Sequence, residues 1–181
     1  MGISDDTVVL AERLSDQFAR IMFRCMSERL VEELTAAEVT YPQLQVLHYV
    51  SRHSHVSVGD VAAGLDISYP SATNMIQRLG KKGLICKTED PRDRRAVNIT
   101  LSEKGARVVN WLDRERSTRF ALILDKMEPA ERQAFYCALG RFVCSAIDAD
   151  IASPDELCLR CGQDRVDGCV VREREGNDFC K

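Results

Sequence analysis

The sequence predicts a mainly α protein carrying a small β-hairpin wing, a winged helix-turn-helix framed by longer helices at both ends. Three observations point there. Apolar residues recur at three- and four-residue steps over most of the first 150 positions. Two short helical stretches are separated by a turn of only a few residues. Two β-rich runs flank a tip dense in proline and charge.

In chain order, Leu10, Leu14, Phe18, Ile21, Met22, Cys25, Met26, Leu30 and Leu34 set a helical stripe over 6–34. One amphipathic helix has no core of its own, so this stripe must pack on another helix or chain. Tyr41-Pro42 opens a second helix, 42–53. A short helix over 58–65, a tight turn through Gly64–Ser68 and a helix over 69–82 ended by Gly83 make the helix-turn-helix. Leu84–Thr88 and Ala96–Leu101 form the hairpin around Glu89–Arg95. Ser102 is placed to N-cap a helix over 103–125, and Pro129 sits in the first turn of another over 129–150. These boundaries divide the chain into an N-terminal dimerisation helix (1–40), a DNA-binding domain (41–102), C-terminal dimerisation helices (103–152) and a cysteine-rich tail (153–181).

Composition narrows the function. The chain has 181 residues, 45% of them hydrophobic, and a net charge of −3. No apolar run approaches the roughly 18 residues of a membrane span. The N-terminus lacks the basic stretch and apolar core of a secretory signal, so the reading is cytoplasmic, with thiols kept reduced or bound to metal. No nucleotide-binding glycine loop, nucleophile–base arrangement or paired carboxylates are evident, which argues against an enzyme or an electron-transfer subunit.

Charge is distributed unevenly. Between Ile67 and Arg107 nine basic residues face four acids, a local balance of +5. Such a patch supplies the phosphate component of DNA affinity. The candidate contacts are Ser68, Ser71, Thr73, Asn74, Gln77, Arg78 and Lys81 on the second helix of the motif, types that reach base edges and phosphates from the major groove. Arg92, Arg94 and Arg95 at the hairpin tip are suited to the adjacent minor groove.

Tyr41–His48 (YPQLQVLH), Ile67–Ile85 (ISYPSATNMIQRLGKKGLI) and Asp90–Gly105 (DPRDRRAVNITLSEKG) resemble the MarR family of bacterial winged-helix regulators. The resemblance covers about residues 8–150, and the D-x-R-D-x-R hairpin followed by L-S-E-K-G is its most specific part. It implies an obligate homodimer held by the first and the last two helices. It also implies a pseudo-palindromic double-stranded operator read by helix 69–82, and repression relieved by a small-molecule effector or an oxidant. The residues agree on dimerisation, because helices 6–34, 103–125 and 129–150 carry stripes that the small winged domain cannot cover. Two-fold symmetry then places half-sites about 10 base pairs apart.

The tail is not required by that family pattern. Cys158, Cys161, Cys169 and Cys180 fall within its last 24 residues, beginning as a C-x2-C pair followed by Gly. Four thiolates complete a set for an iron–sulfur cluster, [4Fe–4S] or [2Fe–2S], or alternatively for tetrahedral Zn2+. So polar a segment has little to bury, and a bound metal would supply its folding energy. The leading expectation is a regulator whose tail senses redox state, oxygen, nitric oxide or iron. The alternative is a repressor answering to a small ligand between the winged domain and the dimerisation helices, with structural zinc in the tail. Cys25, Cys137 and Cys144 read as buried small hydrophobes and Cys86 as structural. Trp111 and the methionines read as core or interface; His48, His53 and His55 resemble a loose metal cluster, but His53-x-His55 at a helix end reads as solvated polar surface.

Overall fold

A computed structural model describes residues 4–34, 39–89, 97–161, 169 and 171. The first helix begins as α1 (Asp5–Arg20), passes without interruption into a π-helical stretch (Ile21–Glu28) and ends as α2 (Arg29–Glu33). The continuous helix expected from the apolar stripe is therefore present, but wound one residue wider through its middle. Then follow α3 (Tyr41–Arg52), α4 (Val58–Gly64), α5 (Tyr69–Lys81), the hairpin strands β1 (Ile85–Glu89) and β2 (Val97–Leu101), α6 (Glu103–Leu124), α7 (Pro129–Asp148) and α8 (Pro154–Cys161).

Local chemistry starts these helices where the sequence places them. Ser57 Oγ accepts the Asp60 amide at 3.2 Å while Asp60 Oδ2 accepts the Ser57 amide at 2.8 Å, a reciprocal cap for α4. Ser102 Oγ accepts the Gly105 amide at 3.0 Å and donates to the Gly83 carbonyl at 2.7 Å, so one hydroxyl caps α6 and ties it to the end of α5. Pro129 opens α7, and the Glu128 amide donates to Glu131 Oε2 at 2.8 Å. In the turn of the helix-turn-helix it is Asp66 that takes the left-handed conformation, at φ 53°. Gly64 serves packing instead, since a Cβ there would lie 2.0 Å from the Tyr49 ring.

The core gathers under the helix-turn-helix. Val46 and Leu47 of α3, Val61 of α4, Ala72, Ile76 and Leu79 of α5, Leu84 and Ile99 are buried together. The hairpin pairs Ile85 with Leu101 and Glu89 with Val97 in antiparallel register. The Ile99 amide also donates to the Val56 carbonyl at 2.7 Å, pinning the wing to the segment before α4. Trp111 packs against this core, as expected.

The outer helices differ in kind. No residue of α1 is buried, and Leu10, Leu14, Phe18, Tyr136, Leu139 and Phe142 are exposed along α1 and α7. At the start of the tail, α8 packs against α3 and α4. Among the described residues no helix is long and apolar enough to cross a membrane.

Candidate nucleic-acid interface

Helix α5 divides cleanly. Ala72, Ile76 and Leu79 point into the core, and Ser68, Ser71, Asn74, Gln77, Arg78 and Lys81 are exposed on the other side. Burial of one face is what holds the other out. All seven residues expected on this helix therefore lie on or at the edge of one surface, with Thr73 half-buried at its margin.

The hydroxyls on this surface are not all free. Ser68 Oγ accepts the Ser71 amide at 3.3 Å and lies 2.8 Å from Ser71 Oγ. Thr73 Oγ1 donates to the Tyr69 carbonyl at 2.9 Å, the back-bond common to helical threonines. Asn74 and Gln77 offer complete amides, and Arg78 and Lys81 close the helix with positive charge. Tyr69, which composition did not single out, is 60% exposed at the first position of the helix.

Two of the basic residues counted in the local patch are turned to structural use. Lys82 Nζ donates to Gln43 Oε1 at 3.1 Å, linking α5 to the start of α3. Lys104 Nζ donates to the Lys82 carbonyl at 3.1 Å. Arg92, Arg94 and Arg95 lie outside the described residues.

Residues 37–96 match the family model described as MarR family. The matched segment runs from just before α3 to the start of β2, the helix-turn-helix and the first wing strand. The chain is similar to the HTH-type transcriptional regulator YfiV of Bacillus subtilis, 27% identical over 110 residues that cover 61% of this chain and 69% of YfiV. It is also similar to the HTH-type transcriptional repressor MdtR of the same organism, 29% identical over 84 residues, 46% of this chain and 54% of MdtR. A MarR family protein from Bacillus stearothermophilus superimposes with a TM-score of 0.69 at 23% identity, covering 81% of this chain and 99% of that one. The winged-helix fold of MarR proteins is thus shown, and the relatives named are transcriptional regulators.

A second feature of the chain is a cavity of about 220 Å³ between the π-helical stretch, α3 and α6. Met26, Leu30, Leu44 and Leu112 give it apolar walls, with Arg52 and Arg116 also in its lining. His48 is part of its lining. Burial holds its imidazole below the ordinary 6.5, with Arg52 and Arg116 adding to the effect and Asp113 opposing it. His48 Nδ1 lies 3.7 Å from Asp113 Oδ1, too far for a hydrogen bond, and has no other partner. Spacing on α3 did not reveal this, because residues from the first helix and α6 supply the burial. His53 departs from the surface reading, stacking on Tyr49 at 4.0 Å, whereas His55 is exposed.

The cysteines are only partly placed. Cys158 and Cys169 are half-buried, while the Cys161 side chain and Cys180 lie outside the described residues. Among the described residues no three His, Cys, Asp or Glu side chains are grouped to hold a metal ion. Cys25, Cys137 and Cys144 are half-buried within one chain, short of the full burial expected of small core residues. Cys86 is exposed on β1, against its reading as a structural thiol; alternation along the strand turns it outward while Ile85 goes into the core.

Proposed function

We propose that the chain is a homodimeric repressor that binds a pseudo-palindromic double-stranded DNA operator through α5, with Arg92, Arg94 and Arg95 of the wing tip in the adjacent minor groove. The observation that carries this reading is the exposed face of α5, where Asn74, Gln77, Arg78 and Lys81 stand out from a helix anchored by buried Ala72, Ile76 and Leu79. Amides and guanidinium groups on a rigid helix are the groups that pair with base edges, and lysines meet phosphates. Dimerisation is supported by the apolar residues of α1 and α7 that stay exposed in one chain, such as Leu10, Leu14 and Phe142. The test is selection from random duplexes followed by titration at several salt concentrations. The expected result is a two-fold symmetric site with centres about 10 base pairs apart, and affinity that falls steeply with salt. Binding with no sequence preference would sink the operator reading.

DNA binding is further proposed to respond to an iron–sulfur cluster, or alternatively Zn2+, held by Cys158, Cys161, Cys169 and Cys180. Four thiols suit either. Support for the coupling comes from α8, which carries Cys158 and packs on α3 and α4, the helices that position α5. Anaerobic purification with absorption, metal and sulfide analysis decides between the cofactors. Cys161→Ser is expected to abolish cofactor binding and change operator affinity; equal DNA binding with and without cofactor would leave the tail structural.

A second reading is favoured by the cavity. Its apolar walls beside Arg52 and Arg116 suit a small aromatic or other apolar effector bearing an acid group. Such a molecule would bridge the first helix, α3 and α6. Release of operator DNA by aromatic carboxylates, lost in Arg116→Ala, is the expected sign.

A further inference from the structure

The first turn of α5 presents less polar chemistry than its composition promises. Ser68 and Ser71 are hydrogen-bonded to one another, Ser68 also receives the Ser71 amide, and the Thr73 hydroxyl is bound to the Tyr69 carbonyl. These contacts stabilise the helix start and draw on the donors that would otherwise meet base edges. Beside the two paired serines, the turn holds out an apolar surface: the 60% exposed ring of Tyr69 and, next to it, exposed Pro70. A single exposed aromatic needs no explanation by itself. Its place does matter, because the N-terminal residues of a helix docked in the major groove are those that reach the bases.

The apolar feature of the base edges in that groove is the C5-methyl group of thymine. We infer that Tyr69, with Pro70 beside it, is a specificity-determining residue that packs on a thymine methyl group in each half-site. The inference rests on α5 being the recognition helix. Thr73, one turn further on, has its hydroxyl committed to the backbone, which leaves its γ-methyl as the group to extend the same apolar contact. Polar readout then falls to Asn74 and Gln77, whose amides match adenine N6 and N7.

The experiment uses the full-length protein and the operator it selects from random duplexes. Each thymine is replaced in turn by deoxyuridine, which deletes only the methyl group. For the wild type, one replacement per half-site is expected to weaken binding about fourfold, the worth of one buried methyl. Tyr69→Ala should bind the thymine and deoxyuridine duplexes equally, and Tyr69→Phe should keep the discrimination. Wild-type indifference to deoxyuridine at every position overturns the inference while leaving operator binding intact. So does undiminished discrimination by Tyr69→Ala. If no sequence is selected at all, the recognition-helix reading falls with it. The wild-type comparison stands whether or not the alanine variant folds.

Discussion

Arg119 of α6 grips Glu33 at the end of the first helix, its Nη2 donating to both carboxylate oxygens at 2.6 Å. Its Nη1 donates to the Cys25 carbonyl, also at 2.6 Å, inside the π-helical stretch. One guanidinium thus fastens the wide turn of the first helix to the long helix that leads out of the wing. The geometry uses several donors of one planar group, which an ammonium cannot reproduce.

Arg119→Ala should destabilise the protein by about 1–2 kcal/mol, most of it from leaving the Cys25 carbonyl without its partner. Glu33 is half-exposed, so Glu33→Gln should cost less, below about 1 kcal/mol. Arg119→Lys should recover only part of the loss. Urea unfolding at fixed protein concentration measures all three, and equal costs for both alanine and glutamine variants would contradict the division.

His48 makes stability depend on pH. Its folded-state pKa is lowered, chiefly by burial, so the unfolded chain takes up a proton first as pH falls. The stability it contributes is complete above about 6.5 and is lost as pH falls through the lower folded value. Unfolding free energy should therefore decline between pH 7 and 5, and His48→Gln should flatten that decline. A slope unchanged by the substitution would place the effect elsewhere.

Gly105→Ala should be among the most damaging single changes in the chain. A Cβ at Gly105 would sit 2.0 Å from the Leu84 carbonyl oxygen, a backbone atom held by its own hydrogen bond from the Ser102 amide. The expected cost is about 3 kcal/mol. Gly80 is the control, because a Cβ there meets nothing within 4 Å. Gly80→Ala should be neutral or slightly stabilising, since alanine favours the helix. A thermal melt that ranks these two variants the other way round would refute the packing argument.

Phe142→Asp tests the proposed dimer. The ring is 67% exposed in one chain, so a folded monomer loses little by the change. Sedimentation equilibrium should show the variant as monomer where the wild type is dimer, with operator affinity reduced at least tenfold. A variant that remains dimeric would move the interface away from α7.

Much of this architecture was written locally. Apolar spacing marked every helix through α7, Ser102 and Pro129 marked two helix starts, and Gly83, at φ 67°, marked where α5 gives way to the wing. Periodicity, capping and left-handed turns depend on neighbours within one or two turns of chain, so the sequence carries them openly. The exposed polar side of α5 was legible for the same reason, because burial of Ala72, Ile76 and Leu79 follows from their spacing.

What tertiary structure alone decided are the relations between residues far apart in the chain. Nothing on α3 itself marked His48 as a cavity residue; the first helix and α6 closing over it make it a half-buried ring whose pKa is lowered. Lys82 and Lys104 counted as DNA-facing charge until Gln43 and a backbone carbonyl took their ammonium groups. The polar composition of the tail gave no sign that its first helix, α8, packs on α3 and α4. Composition fixes how many charges and hydroxyls a surface may offer; the fold settles which of them are already spent, because each hydrogen bond made inside the protein is one fewer available to a partner.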